Sequence, residues 1–219
     1  MNGRTDQLGE ERARLLRFAE KMIEDRGDTV SLTGLAAYAG MPRARIETVF
    51  PDDDALFDAV VEGWFADHVA IMEDVLASDL PPNRKMYEFF VRRFRLQRER
   101  FRANPASFKA YCELGAAHFE RVRSYVDLAD HYLCELIAQA QAEGAFEGLA
   151  IDRALSLINQ MVLPYTMADV MTYMDERLSE EKLGQIVDTL FAGLSAADGG
   201  SRGVSELRAT APLSSSVRA

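Results

Sequence analysis

A short predicted helix, residues 42–50, carries side chains that suit hydrogen bonding to nucleic-acid bases. Ile46 and Phe50 are four residues apart and face inward, which leaves the opposite side of the helix polar and partly basic. An arginine can donate two hydrogen bonds to one guanine, and a threonine can bond to several base edges. This face is therefore sized and equipped for a DNA major groove. The predicted DNA-contacting residues are Ser31, Thr33, Arg43, Ala44, Arg45 and Thr48.

A second short helix precedes this face and must hold it in place. Ser31 is a predicted N-cap, and Leu32 and Leu35 begin an apolar face at helical spacing. Gly40 supplies the positive φ that a tight turn between helices needs, and Pro42 suits the first turn of the next helix. The pattern predicts a helix-turn-helix over residues 31–50. A structural helical hairpin is the alternative, but the capped pair and the outward arginines favour the DNA-binding motif.

The segment from Gly27 to Leu56 resembles the N-terminal domain of the TetR family of bacterial transcriptional regulators. The resemblance covers roughly the first quarter of the chain, and beyond it only the helical layout is similar. It implies a homodimer whose larger C-terminal domain binds a small molecule and thereby releases DNA. The residues that carry it are Gly27, Ser31-Leu32, Leu35-Ala36, Ala39-Gly40-Met41, Ile46, Phe50 and Leu56.

Three positions depart from that family pattern. Pro42 stands where a serine that bonds phosphate is common, Glu47 replaces a frequent tyrosine, and Asp53 replaces a lysine. Each change removes a donor or adds negative charge towards phosphates, so weak nonspecific DNA affinity is expected. Arg43 and Arg45 are left to supply most of the attraction.

Composition narrows the class of protein. The chain has 219 residues, of which 48% are hydrophobic, and its formal net charge is −10. Residues 1–50 contain eight basic and eight acidic residues, so the negative net charge comes from the rest of the chain.

The N-terminus lacks the apolar run of a signal peptide, and no apolar stretch has the length of a membrane span, so a cytoplasmic protein is expected. Cys112 and Cys134 could form a disulfide, but two free thiols are favoured.

Helical periodicity without any strand pattern predicts an all-α fold. The predicted helices cover 10–26, 31–50 as the motif, 53–77, 83–103, 104–117, 118–143, 151–174 with a kink at Pro164, and 179–195. The predicted domains are a flexible tail over 1–9, a DNA-binding domain over 10–56, an effector-binding and dimerisation domain over 57–195, and a disordered tail over 196–219. The long helix that starts at Asp53 is predicted to link the two domains.

The helix over 83–103 is strongly basic and could offer a nucleic-acid or membrane face. Its phenylalanines fall on one side, and the preceding helix is acidic, so paired arginines on a solvated face are favoured. No membrane partner is expected.

The sequence contains no phosphate-binding loop, nucleophile motif or zinc-ligand spacing, which argues against an enzyme and predicts no cofactor and no metal. His68, His118 and His131 are scattered, and ordinary core or surface roles are favoured for them.

Aromatic residues of the later helices could line an apolar ligand cavity, although ordinary core packing explains each of them equally well. The predicted lining residues are Trp64, Phe65, His68, Phe90, Tyr111, Tyr125, Met161 and Tyr165.

Helices 151–174 and 179–195 carry more apolar residues than one monomer face can bury, which predicts a homodimer interface. The sequence thus predicts a DNA-binding repressor that a small apolar or amphipathic effector releases from operator DNA. A TetR-shaped ligand-binding or protein-interaction module with weak or lost DNA binding is the alternative.

Overall fold

The computed structural model describes residues 2–26 and 30–196, and in that part of the chain the regular secondary structure is helical, without strands. The predicted all-α class is confirmed. Gly27, one of the residues that carry the family resemblance, and residues 197–219 of the predicted disordered tail lie outside the described residues. The helices are α1 Asn2–Arg26, α2 Leu32–Ala39, α3 Arg43–Glu47, α4 Asp53–Ala77, α5 Pro82–Ala103, α6 Pro105–Ala117, α7 Phe119–Ala142, α8 Ile151–Thr166, α9 Met171–Met174 and α10 Glu180–Leu194.

Helices α1 to α3 and the first turns of α4 enclose a small core of their own, which we call the head. Helix α1 begins at Asn2 instead of at Glu10, so it includes the backbone of residues 2–9, which the sequence assigned to a flexible tail. Those residues lack an apolar stripe, which is why periodicity missed this extension. The buried residues of the head core are Leu15, Ala19, Ile23, Leu32, Leu35, Ile46, Phe50, Leu56, Ala59 and Val60.

The two helices of the motif have the predicted caps. The backbone N–H of Gly34 donates to Ser31 Oγ at 3.0 Å, and Gly40 ends α2 with φ of 63°. Pro42 precedes the first helical residue instead of lying within the first turn, and α3 spans only Arg43–Glu47. The remaining residues up to Val49 form a turn, so the recognition helix is shorter than the sequence suggested.

Helices α4 to α10 form the larger body. Helix α4 packs against α5 and α7, and α10 packs against α5 and α8. Their main core is rich in phenylalanine from α5, with Phe89, Phe90 and Phe94 all buried. The body thus surrounds α5, and α4 is shared with the head.

The predicted helix over 151–174 is interrupted. Helix α8 ends at Thr166, and a 3-10 turn over Ala168–Val170 separates it from α9. Pro164 has no N–H to donate to the preceding turn, so it weakens the helix there. The chain is extended at Met167, with φ of −82° and ψ of 111°, and the proline therefore leads to a break instead of the predicted kink.

The basic helix α5 uses its arginines for ion pairs. Arg92 reaches Asp74 at 2.5 Å, and Arg100 reaches Asp67 at 2.8 Å, so two arginines pair with the acidic helix α4 as predicted. Other pairs, which the sequence did not reveal, extend to the segment before α10 and to its first turn. They join Arg95 to Glu180, and Arg98 and Arg102 to Asp175.

We expect Asp175→Asn to lower the free energy of unfolding by about 1–3 kcal/mol, because the change removes a charge that is hydrogen-bonded to two arginines. Arg98 Nε donates to Asp175 Oδ1 at 2.5 Å, and Arg102 Nη2 donates to Oδ2 at 2.9 Å. The Asp175 side chain is 14% exposed. Urea unfolding followed by circular dichroism would measure the loss.

Asp127→Asn is a matched control because Asp127 pairs with Arg123 at 3.8 Å on an open surface, where ion pairs contribute little to stability.

Burial alone would raise the pKa of Asp175, but the hydrogen bonds and charges of Arg102 and Arg98 outweigh it, so the pKa is lowered. When a carboxyl group has a lower pKa in the folded protein than in the unfolded chain, its charge stabilises the fold at pH values above its unfolded pKa. That stabilisation is lost as the pH falls through its pKa in the folded protein. The effect of Asp175→Asn should therefore shrink below about pH 4, and equal effects of the two substitutions at pH 7 would contradict the assignment.

Apolar residues remain exposed on α8. Leu157, Met161 and Leu163 all keep more than a third of their surface accessible. Helix α10 differs, because Leu183, Val187 and the later leucines of its apolar face are buried within the monomer. The apolar excess predicted for both helices is thus present on α8 only. Within the described residues, no helix is long and apolar enough to cross a membrane.

Candidate DNA-contacting face and candidate ligand cavity

The outward face of α3 is exposed, as the spacing predicted. Arg43, Ala44, Arg45 and Thr48 are all exposed, and Thr33 lies beside them at the start of α2. Ser31 is only partly exposed, and its Oγ is already engaged by the N–H of Gly34. Five of the six predicted contact residues are therefore exposed on one surface, and among them the Thr48 hydroxyl donates to the backbone oxygen of Arg45 at 2.6 Å.

The basic side chains of this face are paired with carboxylates of the head. Arg43 Nε donates to Glu47 Oε1 at 2.8 Å, and its Nη1 donates to Thr33 Oγ1 at 3.0 Å. Arg45 Nε donates at 3.1 Å to Oε1 of Glu11, a residue of α1. DNA phosphates would have to compete with these carboxylates for both arginines, so the ion pairs add to the weakening of DNA affinity that is expected from Glu47.

The Glu11 contact lies in a groove between α1 and the recognition helix. This groove has a volume of about 750 Å³ and is bordered by Arg14, Arg17, Arg45 and Thr48. Arg14 Nη2 shares the same Glu11 oxygen at 3.0 Å. One carboxylate thus holds two arginines of the head side by side. The sequence could not show this pairing because Glu11 and Arg45 are 34 residues apart.

The Asp53 side chain forms a hydrogen bond within the head. Its Oδ1 accepts a hydrogen bond of 2.7 Å from the backbone N–H of Leu32, at the first turn of α2. Together with Ser31 it satisfies donors that a helix N-terminus leaves open. The negative charge expected to face phosphates is therefore tied to α2, and it joins the start of α4 to the start of the motif.

The body contains a cavity of about 330 Å³ between α4, α5, α7 and α8. Its walls include Trp64, Phe65, His68, Phe90 and Tyr125, which are five of the predicted lining residues. Phe65 and Tyr125 stack with ring centroids 4.6 Å apart. A volume of this size is at the lower end of the range of ligand sites. We refer to it as the main cavity.

A second cavity of about 290 Å³ lies towards the head. It includes the sixth predicted residue, Tyr111, whose ring stacks on Trp64 at 4.2 Å. The two cavities share Trp64, Phe65, Met167 and Ala168 as lining residues. They are therefore neighbouring spaces separated by the aromatic side chains of α4.

Two predicted lining residues lie elsewhere. Met161 is 46% exposed on the surface of α8 and borders neither cavity. Tyr165 is buried against Phe94, and its hydroxyl donates to the backbone oxygen of Ser179 at 3.2 Å. Neither side chain lines a cavity in this structure, because α8 turns both of them away from the space that α4 and α7 enclose.

Sequence reasoning missed the polar residues of the main cavity. Arg93, Gln97, Asp130 and Asn159 all line it. Arg93 was grouped with the surface arginines of a basic helix. Its position in the sequence could have indicated that it faces the cavity. Arg93 lies three residues after the buried Phe90 and four before Gln97, which places all three on the same side of α5.

Comparison with known proteins decides the fold. Residues 82–187 match the family model described as tetracyclin repressor-like, C-terminal domain. The structure is similar to a transcriptional regulator of the TetR/AcrR family from Thermobifida fusca YX-ER1, with a TM-score of 0.58, 16% identity, and coverage of 84% of this chain and 98% of that one. The chain has the TetR-family fold. The resemblance predicted from the motif residues is confirmed and extends through the body.

Further structures share the TetR-family fold with this chain at low sequence identity. A candidate transcriptional regulator from Pseudomonas aeruginosa PAO1 superposes with a TM-score of 0.66 at 14% identity, covering 88% of this chain and 93% of that one. The TetR-family regulator PfmR from Thermus thermophilus has a TM-score of 0.53 at 17% identity, covering 83% and 98%. Among curated proteins, no sequence matches this chain.

Helix α4 connects the two halves of this TetR-family fold. Leu56 and Val60 belong to the head core, and Trp64, one turn further, lines both cavities. Arg100 fixes Trp64 from α5, because its Nη1 donates to the Trp64 backbone oxygen at 2.8 Å and its guanidinium lies over the indole ring. A change in the cavity therefore acts on the same helix that shapes the head.

Burial keeps two titratable groups of the cavities, His68 and Cys112, neutral at pH 7. The pKa of His68 is lowered to about 3 by burial and by the nearby charges of Arg93 and Arg100. The pKa of the Cys112 thiol is raised to about 11, mainly by burial. Cys112 and Cys134 are both free thiols, the favoured alternative. In the described part of the chain, no three His, Cys, Asp or Glu side chains come together in a way that could hold a metal ion.

Proposed function

We propose that this protein is a DNA-binding transcriptional regulator, acting as a repressor that a small amphipathic molecule releases from its operator. The observation that carries the proposal is the continuity of α4 from the head core to the cavity wall. The exposed face of α3 supports DNA reading, and an apolar cavity with a few polar groups is the usual form of a small-molecule site.

A footprint on the DNA immediately upstream of its own coding sequence tests the proposal directly. We expect protection of a palindromic site with half-sites one or more helical turns apart, since two heads of a symmetric dimer would bind it. Absence of any sequence-specific protection there and in a random-site selection at low salt would contradict the proposal.

We expect Arg45→Ala to cost about 1–3 kcal/mol of operator binding and to relax preference at one base pair per half-site. The reason is that Arg45 is exposed at the centre of the α3 face, where a guanidinium can bond to the O6 and N7 atoms of guanine. Fluorescence anisotropy with operator and random duplexes would measure both affinities. Arg123→Ala, on an exposed surface of α7, is the control. An unchanged ratio of the two affinities in Arg45→Ala would show that the assigned face is wrong.

The internal ion pairs of the head favour a second candidate function. Arg43 and Arg45 are both bound to carboxylates of the same chain, which lowers their attraction for phosphates. A ligand-binding or protein-interaction module with weak operator binding would have such a head. The footprint and the random-site selection separate the two functions, because the module would show ligand binding without sequence-specific protection.

We propose that the protein acts as a homodimer through α8 and α10. The exposed Leu157 and Met161 support α8 as the apolar part of this interface. In an isologous interface each residue is used twice, so a small patch on one helix is doubled across the symmetry axis.

A further inference from the structure

Arg93 differs from every other arginine of α5. The helix contains seven arginines, and six of them form ion pairs with carboxylates. Arg93 forms no ion pair with any described residue; its guanidinium lies over the Phe89 ring, 5.1 Å from the ring centroid, and its Nε is buried without a hydrogen-bond partner. A guanidinium that is held inside a protein without an opposite charge is costly, because a buried charge is normally paired.

Gln97 lies one helical turn further along the same wall of the main cavity. Its side chain is only 8% exposed, and its Oε1 has no hydrogen-bond partner. Buried polar atoms are nearly always bonded, so two neighbouring exceptions in one apolar cavity indicate a missing polar partner. The Gln97 amide can present either its oxygen or its NH₂ group to that partner.

The cation of this site is Arg93, which shares the cavity wall with one carboxylate, Asp130. Burial lowers the pKa of Arg93 to about 10, while the charge of Asp130 acts in the opposite direction, so the guanidinium is charged at neutral pH. Asp130 itself accepts a hydrogen bond of 2.9 Å from Asn159 Nδ2. His68 is neutral there and adds no second cation. A planar guanidinium matches a carboxylate in both charge and geometry.

We propose that the main cavity binds an amphipathic monocarboxylic acid, with its carboxylate on Arg93 and Gln97. Its apolar part lies among the aromatic side chains of Trp64, Phe65 and Tyr125. The inference rests on the proposed function, because it names the chemical class of the effector that the body recognises.

Three probes with one chain length test the head group: decanoate, decan-1-ol and decylamine, each below its micelle-forming concentration. Trp64 is the only tryptophan of the protein and lines the cavity, so its emission reports binding to the full chain without DNA. Calorimetry gives the same affinities independently. We expect decanoate to bind about 10- to 100-fold more tightly than the alcohol, the range of a charge-assisted hydrogen-bond pair.

Substitutions at Arg93 separate recognition of the acid from the shape of the cavity. Arg93→Met should abolish the preference for decanoate and lower decan-1-ol affinity far less, since methionine fills similar space without charge and the alcohol loses at most a neutral hydrogen bond. Arg93→Lys keeps the positive charge but lacks the planar guanidinium, so it should give an intermediate preference for decanoate over decan-1-ol. Arg95→Met is the matched control, because Arg95 is on the same helix but pairs with Glu180 outside the cavity.

Equal binding of acid and alcohol, tighter binding of the amine, or no binding of any probe by the unmodified protein would overturn the proposal. Equal losses for acid and alcohol in Arg93→Met would also overturn it, because they would indicate a purely structural role. The comparison among the three probes needs no variant, so it holds even if Arg93→Met does not fold. No DNA is present in these titrations, and a failed footprint would leave their outcome intact.

Discussion

Saturating operator DNA should weaken decanoate binding by about 5- to 150-fold, the effect of a coupling free energy of about 1–3 kcal/mol. A ligand can release DNA only if it prefers a conformation in which the protein binds the operator poorly. Linkage is reciprocal, so the operator must then disfavour the ligand by the same factor. The coupling is expected because α4 contributes Leu56 to the head core and Trp64 to the cavity wall.

Two titrations measure this coupling. Decanoate is titrated into the full protein alone and into the protein saturated with the footprinted operator, with calorimetry as the readout. A random duplex of equal length, at a salt concentration where it does not bind, is the control. Equal decanoate affinity with and without operator would show that cavity and head are independent, even if each binds its own partner.

The double substitution Leu157→Glu and Met161→Glu should convert a dimer into monomers and remove tight operator binding. Each glutamate would bring a charge into an apolar interface, at a cost of several kcal/mol when it is desolvated without a partner. Two-fold symmetry places four such charges at one interface. Even about 4 kcal/mol in total corresponds to roughly a thousandfold increase in the dimer dissociation constant.

Analytical ultracentrifugation at micromolar concentration measures this change, and anisotropy measures the operator affinity. Ser124→Glu adds the same charge at an exposed position of α7 and should leave both quantities unchanged. A monomeric mass for the unmodified protein would remove the proposed interface. A dimer that persists in the double variant would place the interface away from these two side chains.

Local chemistry explains what the sequence could predict. Ser31 and Gly40 have the predicted roles because an N-cap and a positive φ depend on neighbouring residues only. The same holds for the buried stripe of the head, where Ile46 and Phe50 face inward. These features depend on spacing within a few residues, which the sequence displays directly.

The missed features depend on contacts between distant parts of the chain. Glu11 meets Arg45, and Arg98 meets Asp175, across separations of 34 and 77 residues. Arg93 differs from the neighbouring arginines, which form ion pairs, only because α4, α7 and α8 enclose it in the tertiary structure. Met161 and Tyr165 lie outside both cavities, because the direction of α8 relative to the cavity is a tertiary property that residue spacing does not display.

The bond between Asp53 and Leu32 makes the first turn of α4 part of the helix-turn-helix. Trp64 lies eleven residues after Asp53, which is about 16 Å along a helix axis. A tilt of about 5° at Trp64 would therefore move the attached motif by roughly 1.4 Å over that length. In a two-fold dimer the heads would part by roughly 3 Å, about the length of one hydrogen bond. A side-chain adjustment at Trp64 would thus change the spacing of the two heads by about 3 Å, which is the kind of mismatch with the half-sites that the proposed release of DNA requires.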